Sequence, residues 1–457
     1  MKDNKAVFLE KSEAKVFDDK HRKTIAFNMD KYYVSVKKGK EQYNDLEYAR
    51  KKAKNIKWKA IESLDTQLEL FERKFTEQGG KVIWAENADD ALRAIGDIVD
   101  RVKAKTVVKA KSMVTEELHL NSFLEKLGVN SVETDLGEYI QQIDGEPPYH
   151  IVTPAMHKSK EDIADLFARK LGTAPNLSPK ELTLIARDKL RGEFLKADIG
   201  ISGANFIIAD AGAIALTENE GNIRLTTSLP KIHIAIVGIE KVVSSLKDIA
   251  HLWPLLSTFG TGQKLTVYNS IFFGPKSVKE MDGPEEMYVI LLDNGRTNLL
   301  RKEVRESMYC IRCGSCLNAC PVYKNIGGHS YDTTYSGPIG AVITPHLKSM
   351  EEFGHLSFAS SLCGACTEAC PVKINLHNML LTNRAIYVDE GHADFKEKMS
   401  WKLFKIGVTY KPLMKIPTAA MKEKGFNKLF SELWGSHRAP LEFPKKTFDS
   451  LWKERNR

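Results

Sequence analysis

Seven cysteines, all between Cys310 and Cys370, are the residues of this chain whose spacing most directly specifies chemistry. Cys310, Cys313, Cys316 and Cys320 form a C-x2-C-x2-C-x3-C run followed by Pro321. Thiolates at successive x2 intervals curl around three irons of one cubane, and the fourth cysteine of such a run reaches a second cluster. The proline that follows has a fixed φ and no N–H, so it redirects the chain. Cys363, Cys366 and Cys370-Pro371 repeat the last three positions of the pattern, and Ser360 stands where its first cysteine would be. Crossed ligation then assigns Cys310, Cys313, Cys316 and Cys370 to cluster 1, and Cys320, Cys363 and Cys366 to cluster 2.

The cofactors expected are therefore two iron–sulfur clusters of the [4Fe–4S] type, the second one cysteine short. That second centre is either [3Fe–4S] or a [4Fe–4S] cluster whose fourth iron is held by Ser360, another side chain or water. Structural zinc sites also use x2 cysteine pairs, but three thiolates at successive x2 intervals with a repeated Cys-Pro fit a cubane better. His329, His346, His355 and His377 flank the motifs and are candidate iron ligands, although loop and packing histidines are commoner. The long connection from Pro321 to Leu362 contains a helix-compatible run at 345–353, with its proline in the first turn, and predicts a mainly α-helical two-cluster domain. Paired clusters pass single electrons, so a relay is the plain functional reading. An open iron that binds substrate and a redox-responsive interaction protein are the alternatives.

Elements on both sides must hold these cysteines. From 41 to 79 the chain is charged and free of proline, with Leu64, Leu68, Leu70, Phe71 and Phe75 near helical spacing, and residues 1–79 read as a helical arm. After Gly79-Gly80 short β-rich runs alternate with helices: strands at 81–85, 106–110, 131–134, 150–153, 205–209, 213–217, 232–237, 265–268 and 287–292, and helices at 87–102, 115–127 and 161–171. This βαβ rhythm predicts an α/β domain over 80–298 with a mostly parallel sheet. The cluster domain follows at 299–390 and a basic segment at 391–457.

Between Lys396 and Arg457, 15 Lys/Arg face 6 Asp/Glu, so the formal net charge of +8 belongs to this tail. Trp401, Trp434 and Trp452, with Phe404, Phe426, Phe430, Phe443 and Phe448, lie among its cations. Aromatic residues among lysines predict peripheral contact with acidic headgroups, or a solvated helical appendage. The N-terminus has no apolar core with a cleavage site, and no stretch is apolar enough to span a bilayer, so a cytoplasmic location is expected. Cysteines grouped in one segment agree with a metal site rather than with disulfides.

Within the α/β region, the polar run 210–224 reads as a hairpin in which Thr217, Asn222 and Arg224 are candidates for gripping a carboxylate or phosphate. Phe259-Gly260-Thr261-Gly262-Gln263 reads as a glycine turn and lacks a dinucleotide fingerprint. No G-x-S-x-G nucleophile elbow occurs, which leaves hydrolase chemistry without support.

The runs Ile201-Ser202-Gly203-Ala204-Asn205, Asp210-Ala211-Gly212, Thr217-Glu218-Asn219-Glu220-Gly221-Asn222 and Ser257-Thr258-Phe259-Gly260-Thr261-Gly262-Gln263 resemble the domain of the lactate utilization proteins. With the two cysteine motifs and the basic tail, nearly the whole chain is similar to the iron–sulfur members of that family. The resemblance implies a sugar-isomerase/CoA-transferase-like α/β domain and a two-cluster ferredoxin-type domain. It also implies an electron transporter in a three-protein system that oxidises L-lactate to pyruvate. The partners implied are a cysteine-rich subunit and a second subunit with the lactate utilization domain, with no nucleic acid. The seven cysteines fall on the family's cluster positions, and the missing eighth belongs to its pattern.

Overall fold

The computed structural model describes residues 3–300, 302–410, 419–435, 438–440 and 442–456. Ten strands succeed one another: β1 (Lys81–Ala85), β2 (Thr106–Lys109), β3 (Asn130–Glu133), β4 (Ile199–Ser202), β5 (Phe206–Ile208), β6 (Ala213–Glu218), β7 (Ile232–Gly238), β8 (Val242–Val243), β9 (Tyr268–Phe272) and β10 (Glu286–Leu292). They divide into two sheets. The larger runs β1-β10-β7-β4-β2-β3, and every neighbouring pair in it is parallel. Its central strand β7 is buried along its whole length, as a strand covered on both faces must be, and its sequence is correspondingly apolar. The smaller sheet, β8-β5-β6-β9, is mixed, with β5 antiparallel to β6 and parallel to β8.

Alternate residues of β7 and β10 feed two different cores, because side chains in a strand point to opposite faces. Ile234, Ile236 and Ile290 join a core with the helix Ala88–Val102, whose buried Ala91, Ile95, Ile98 and Val99 form one stripe. Val237, Val289 and Leu291 join the main core, which continues through β5 and β6 into the cysteine segment.

The N-terminal segment contributes four helices to that main core: Asn4–Val16, Asp19–Lys40, Leu46–Glu62 and Leu64–Glu77. The last two match the helical reading of 41–79. Phe71 and Phe75 in the fourth are fully buried and stack with centroids 5.3 Å apart. The first two helices are not legible as an apolar stripe, since only Val7, Phe8, Ile25 and Met29 supply their buried apolar contacts. Their starts are set by Asp3 and Asp18, whose carboxylates accept N–H groups of the first turn.

Several local expectations are corrected. Residues 150–153 form no strand; His150 Nδ1 accepts the Val152 and Thr153 N–H groups, which fixes a bend. The helix expected at 115–127 is broken into Met113–Glu117 and Leu120–Lys126 by His119 in the left-handed region. The strand expected at 265–268 begins only at Tyr268, and the glycine turn at 259–263 is the end of the helix Leu246–Thr261, capped by Gly262. The hairpin expected at 210–224 is strand β6, a short turn and the helix Asn222–Ser228.

Pro345 does not open a helix. It lies in the last turn of Gly337–Leu347, and Met350–Phe353 is separate. A proline there cannot donate to the carbonyl four residues back. That carbonyl, on Ala341, instead accepts from Ser357 Oγ at 3.1 Å and Asn383 Nδ2 at 3.4 Å.

Residues 1–387 form one compact unit that contains both sheets and all seven cysteines. Residues 388–457 form a second unit with the helices Phe395–Thr409, Ala419–Trp434 and Phe448–Arg455. Residues 411–418 and the side chains of Phe430 and Trp434, part of the basic aromatic tail, lie outside the described set. Among the described residues no helix is long and apolar enough to cross a membrane.

Candidate functional site: two cysteine cradles and an adjoining cleft

The two cysteine motifs share one backbone device. Arg312 and Gly314 flank Cys313 with φ of 59° and 75°, and Leu362 and Gly364 flank Cys363 with φ of 55° and 81°. A left-handed residue on each side of the cysteine curls the chain so that flanking thiols converge, and the position after the cysteine is glycine in both motifs because it pays no Cβ penalty there. Gly314 and Gly364 then start the short helices Ser315–Ala319 and Ala365–Glu368, which carry Cys316 and Cys366.

Tertiary packing sorts the thiols into two cradles. Cys310, Cys313, Cys316 and Cys370 line one small cavity, together with Ile151, Ile339 and Ile374. Cys320, Cys363 and Cys366 line another, together with Ser360 and Ser361. Each cradle thus takes one cysteine, Cys370 or Cys320, from the other motif. No disulfide joins any of the seven.

Ser360 occupies the place that Cys310 holds in the first motif. The Arg312 N–H donates to Cys310 Sγ at 3.4 Å, and the Leu362 N–H donates to Ser360 Oγ at 3.1 Å. The same register recurs elsewhere: N–H groups of Ser315, Val322, Ala365 and Val372 donate to the sulfurs of Cys313, Cys320, Cys363 and Cys370, each two residues back. Such donors favour thiolate over thiol, whereas burial opposes it. Burial wins for Cys370, pushed up to about 12, and Cys366, pushed up to about 11. Exposed Cys363 is lowered by the Ala365 N–H.

Two arginines fix the cradle walls. Arg50, buried on the helix Leu46–Glu62, donates from Nε (3.1 Å) and Nη2 (2.9 Å) to the Cys370 carbonyl, and from Nη2 to the Glu368 carbonyl at 2.8 Å. Arg384 donates to the Ser357 carbonyl at 2.9 Å and to the Ser360 carbonyl at 2.8 Å.

Charge supplies the test of what the first cradle suits. Lys57, Lys241 and Arg312 lie close to Cys310, and Arg296 lies next to them with the carboxylates Glu117 and Glu240. Arg296 pairs with Glu240 at 2.7 Å and Glu117 at 2.8 Å, and Arg312 with Glu240 at 3.3 Å. Burial lowers Lys57 to about 7 and Lys241 to about 8, and a negative group alongside would favour their charged forms. Four thiolates bound to iron provide one, so the residues present fit a cluster held by cysteine.

A cleft of about 400 Å3 opens next to this cradle and includes Arg312 and Cys313 in its wall. It lies beyond the carboxyl ends of β2 and β4, where open parallel sheets bind ligands. Thr217 and Asn222 line it; Arg224 does not, and is exposed with its guanidinium over the Tyr268 ring. Glu220 is exposed at this cleft, and burial lowers Lys241 to about 8. Lys241 was not singled out from the sequence, although two charges, Glu240 and Lys241, in the apolar run 232–243 are a legible signal.

The four flanking histidines line neither cradle. His329 bonds the Pro147 carbonyl at 2.7 Å, His346 bonds Asn383 Oδ1 at 2.8 Å, His377 bonds Thr367 Oγ1 at 2.8 Å, and His355 packs on Phe8 and Phe353.

Fold and cradles together define an α/β protein fused to a dicluster iron–sulfur domain, and comparison with known proteins agrees. The LUD domain family matches residues 68–292, and the 4Fe-4S dicluster domain family matches residues 306–374, so the cofactors are two iron–sulfur clusters rather than zinc. Lactate utilization protein B of Geobacillus sp. (strain WCH70) is 44% identical over 91% of this chain and 88% of its own. The protein of that name from Bacillus subtilis (strain 168) is 44% identical over 82% of this chain and 79% of its own. The chain belongs to the lactate utilization protein B family.

Proposed function

We propose that this chain is the electron-transfer subunit of a lactate-oxidising system, carrying electrons released when L-lactate becomes pyruvate. In this reading it works with two other lactate utilization proteins, one cysteine-rich and one bearing a second lactate utilization domain. The observation that carries it is the sorting of the thiols into two cradles that share the same small body, each borrowing a cysteine from the other motif. Cys310, Cys313, Cys316 and Cys370 hold cluster 1; Cys320, Cys363 and Cys366 hold cluster 2, with Ser360 at the fourth position.

Bound clusters supply one-electron chemistry, whereas oxidation of a hydroxy acid releases two electrons, and a pair of clusters can pass them on singly. The chain's own residues set the terms. N–H donors two residues beyond the cysteines stabilise negative sulfur, and the cations close to Cys310 favour added negative charge in cradle 1. Exposed Cys363 leaves cradle 2 open to a docking partner, while cradle 1 faces the cleft.

The test is anaerobic purification, iron and sulfide analysis per chain, and EPR spectra before and after reduction. Two clusters that reduce and reoxidise reversibly are expected. Zinc without iron after reconstitution would overturn the reading.

A further inference from the structure

The cleft beside cradle 1 has two cations in its wall, Lys241 and Arg312, each with donor capacity that no protein group among the described residues takes up. Lys241 is 7% exposed and lines the cleft, yet among the described residues its ammonium makes neither a hydrogen bond nor an ion pair. Arg312 Nη1 is also buried without a hydrogen-bond partner, although the same guanidinium pairs with Glu240 through Nη2 and lies 4.5 Å from the Tyr335 ring centroid. A buried donor such as Arg312 Nη1 is normally satisfied, whereas the Lys241 ammonium reaches solvent. The cleft is also lined by the neutral groups Thr217 and Asn222, by Asp135 paired with Lys111 at 3.7 Å, by Glu218, which accepts the Ile223 and Arg224 N–H groups, and by Glu220.

We propose that this cleft is a binding site for an organic anion, whose carboxylate or phosphate sits on Lys241 and Arg312 while its polar remainder meets Thr217 and Asn222. The cleft shares Ile151, Arg312 and Cys313 with cradle 1 and extends away from the thiols to β6 and Asn222, so the cluster thiolates by themselves leave the opening unexplained. A volume of about 400 Å3 lies within the range of pockets for small organic ligands. Since Cys313 belongs to the wall, a ligand there would be adjacent to cluster 1, which makes the site a port for that centre if the relay reading holds.

Calorimetric titration of the anaerobic, cluster-loaded full chain with FMN and, separately, pyruvate tests the proposal. Binding of FMN identifies a phosphate-bearing ligand, and binding of pyruvate a carboxylate. Lys241→Met, which keeps the side chain's bulk, is expected to weaken binding by about tenfold or more, as loss of a charged partner does. Asn222→Ala is expected to weaken it by a smaller factor with iron content unchanged. Occupancy is also expected to alter the EPR line shape of cluster 1 and leave cluster 2 unaltered. No binding of either probe, or binding indifferent to both substitutions, overturns the site. Reversible clusters without binding would leave the relay standing alone; binding to a chain without redox-active clusters would refute the relay and keep the site.

Discussion

Replacing Arg50 with methionine tests how the N-terminal helices support cradle 1. Arg50 is 7% exposed and donates three hydrogen bonds to two carbonyls of the second cysteine motif. Methionine restores most of the apolar bulk, so the loss is electrostatic. The Cys370 carbonyl keeps the Lys373 N–H at 3.2 Å but loses both Arg50 donors, and losing hydrogen bonds from a charged group costs about 1.5–3 kcal/mol. Glu368 is exposed, so water compensates its carbonyl, and the Glu47 pair is too exposed to add much. With both such bonds lost, about 3 kcal/mol is a fair total. At about 2.1 cal/mol/K per residue, the 387-residue unit has an unfolding entropy near 0.8 kcal/mol/K, so Tm should fall by about 4 °C. If the loss is local to the turn carrying Cys370, extraction of cluster 1 by an iron chelator should accelerate by up to about 100-fold. Cluster 2 should be retained. The assays are calorimetry and EPR-monitored chelation. An unchanged Tm together with unchanged release would refute the account of Arg50, and faster loss of cluster 2 in place of cluster 1 would refute the assignment of Cys370.

Ser360→Cys should yield a fully thiolate-ligated [4Fe–4S] centre in cradle 2 with an altered EPR spectrum, and Ser360→Ala should favour a three-iron centre; identical spectra for wild type and both variants would remove Ser360 from the ligand set. His233 is fully buried in β7 against Ser202, and burial lowers it from 6.5 to about 3. The unfolded state therefore binds the extra proton below pH 6.5, and stability should fall by about 2 kcal/mol from this group between pH 6.5 and 5. A chemical-denaturation series should show that slope reduced in His233→Gln; equal slopes would contradict it. In the second unit, Trp401, Leu403 and Phe404 are exposed on a lysine-bearing helix. Truncation after Glu390 should release the chain from acidic vesicles at low salt, and unchanged cosedimentation would exclude docking through the tail.

The chemistry was legible in the sequence because cluster ligation depends on local spacing. Cys310-x2-Cys313-x2-Cys316 fixes three thiols within two turns of chain, and Cys-Pro marks where a fourth departs. Most of the parallel sheet was legible too, since β7 and β10 are apolar runs long enough to mean burial on both faces, but the four-residue strand β4 was missed. Local pattern failed where polar side chains bond the backbone, as His150 does at 150–153 and Ser357 with Asn383 do around Pro345, and where His119 takes a left-handed backbone conformation that breaks a helix. The sequence by itself also placed Ser360 in the first-cysteine position. Only the tertiary structure showed that its hydroxyl takes the same N–H contact as Cys310, that Arg50 reaches Cys370 across 320 residues of chain, and that Arg224 faces away from the cleft while Lys241 faces into it. Those are contacts between residues distant in sequence, where spacing carries no signal and packing alone determines which side chains share a wall.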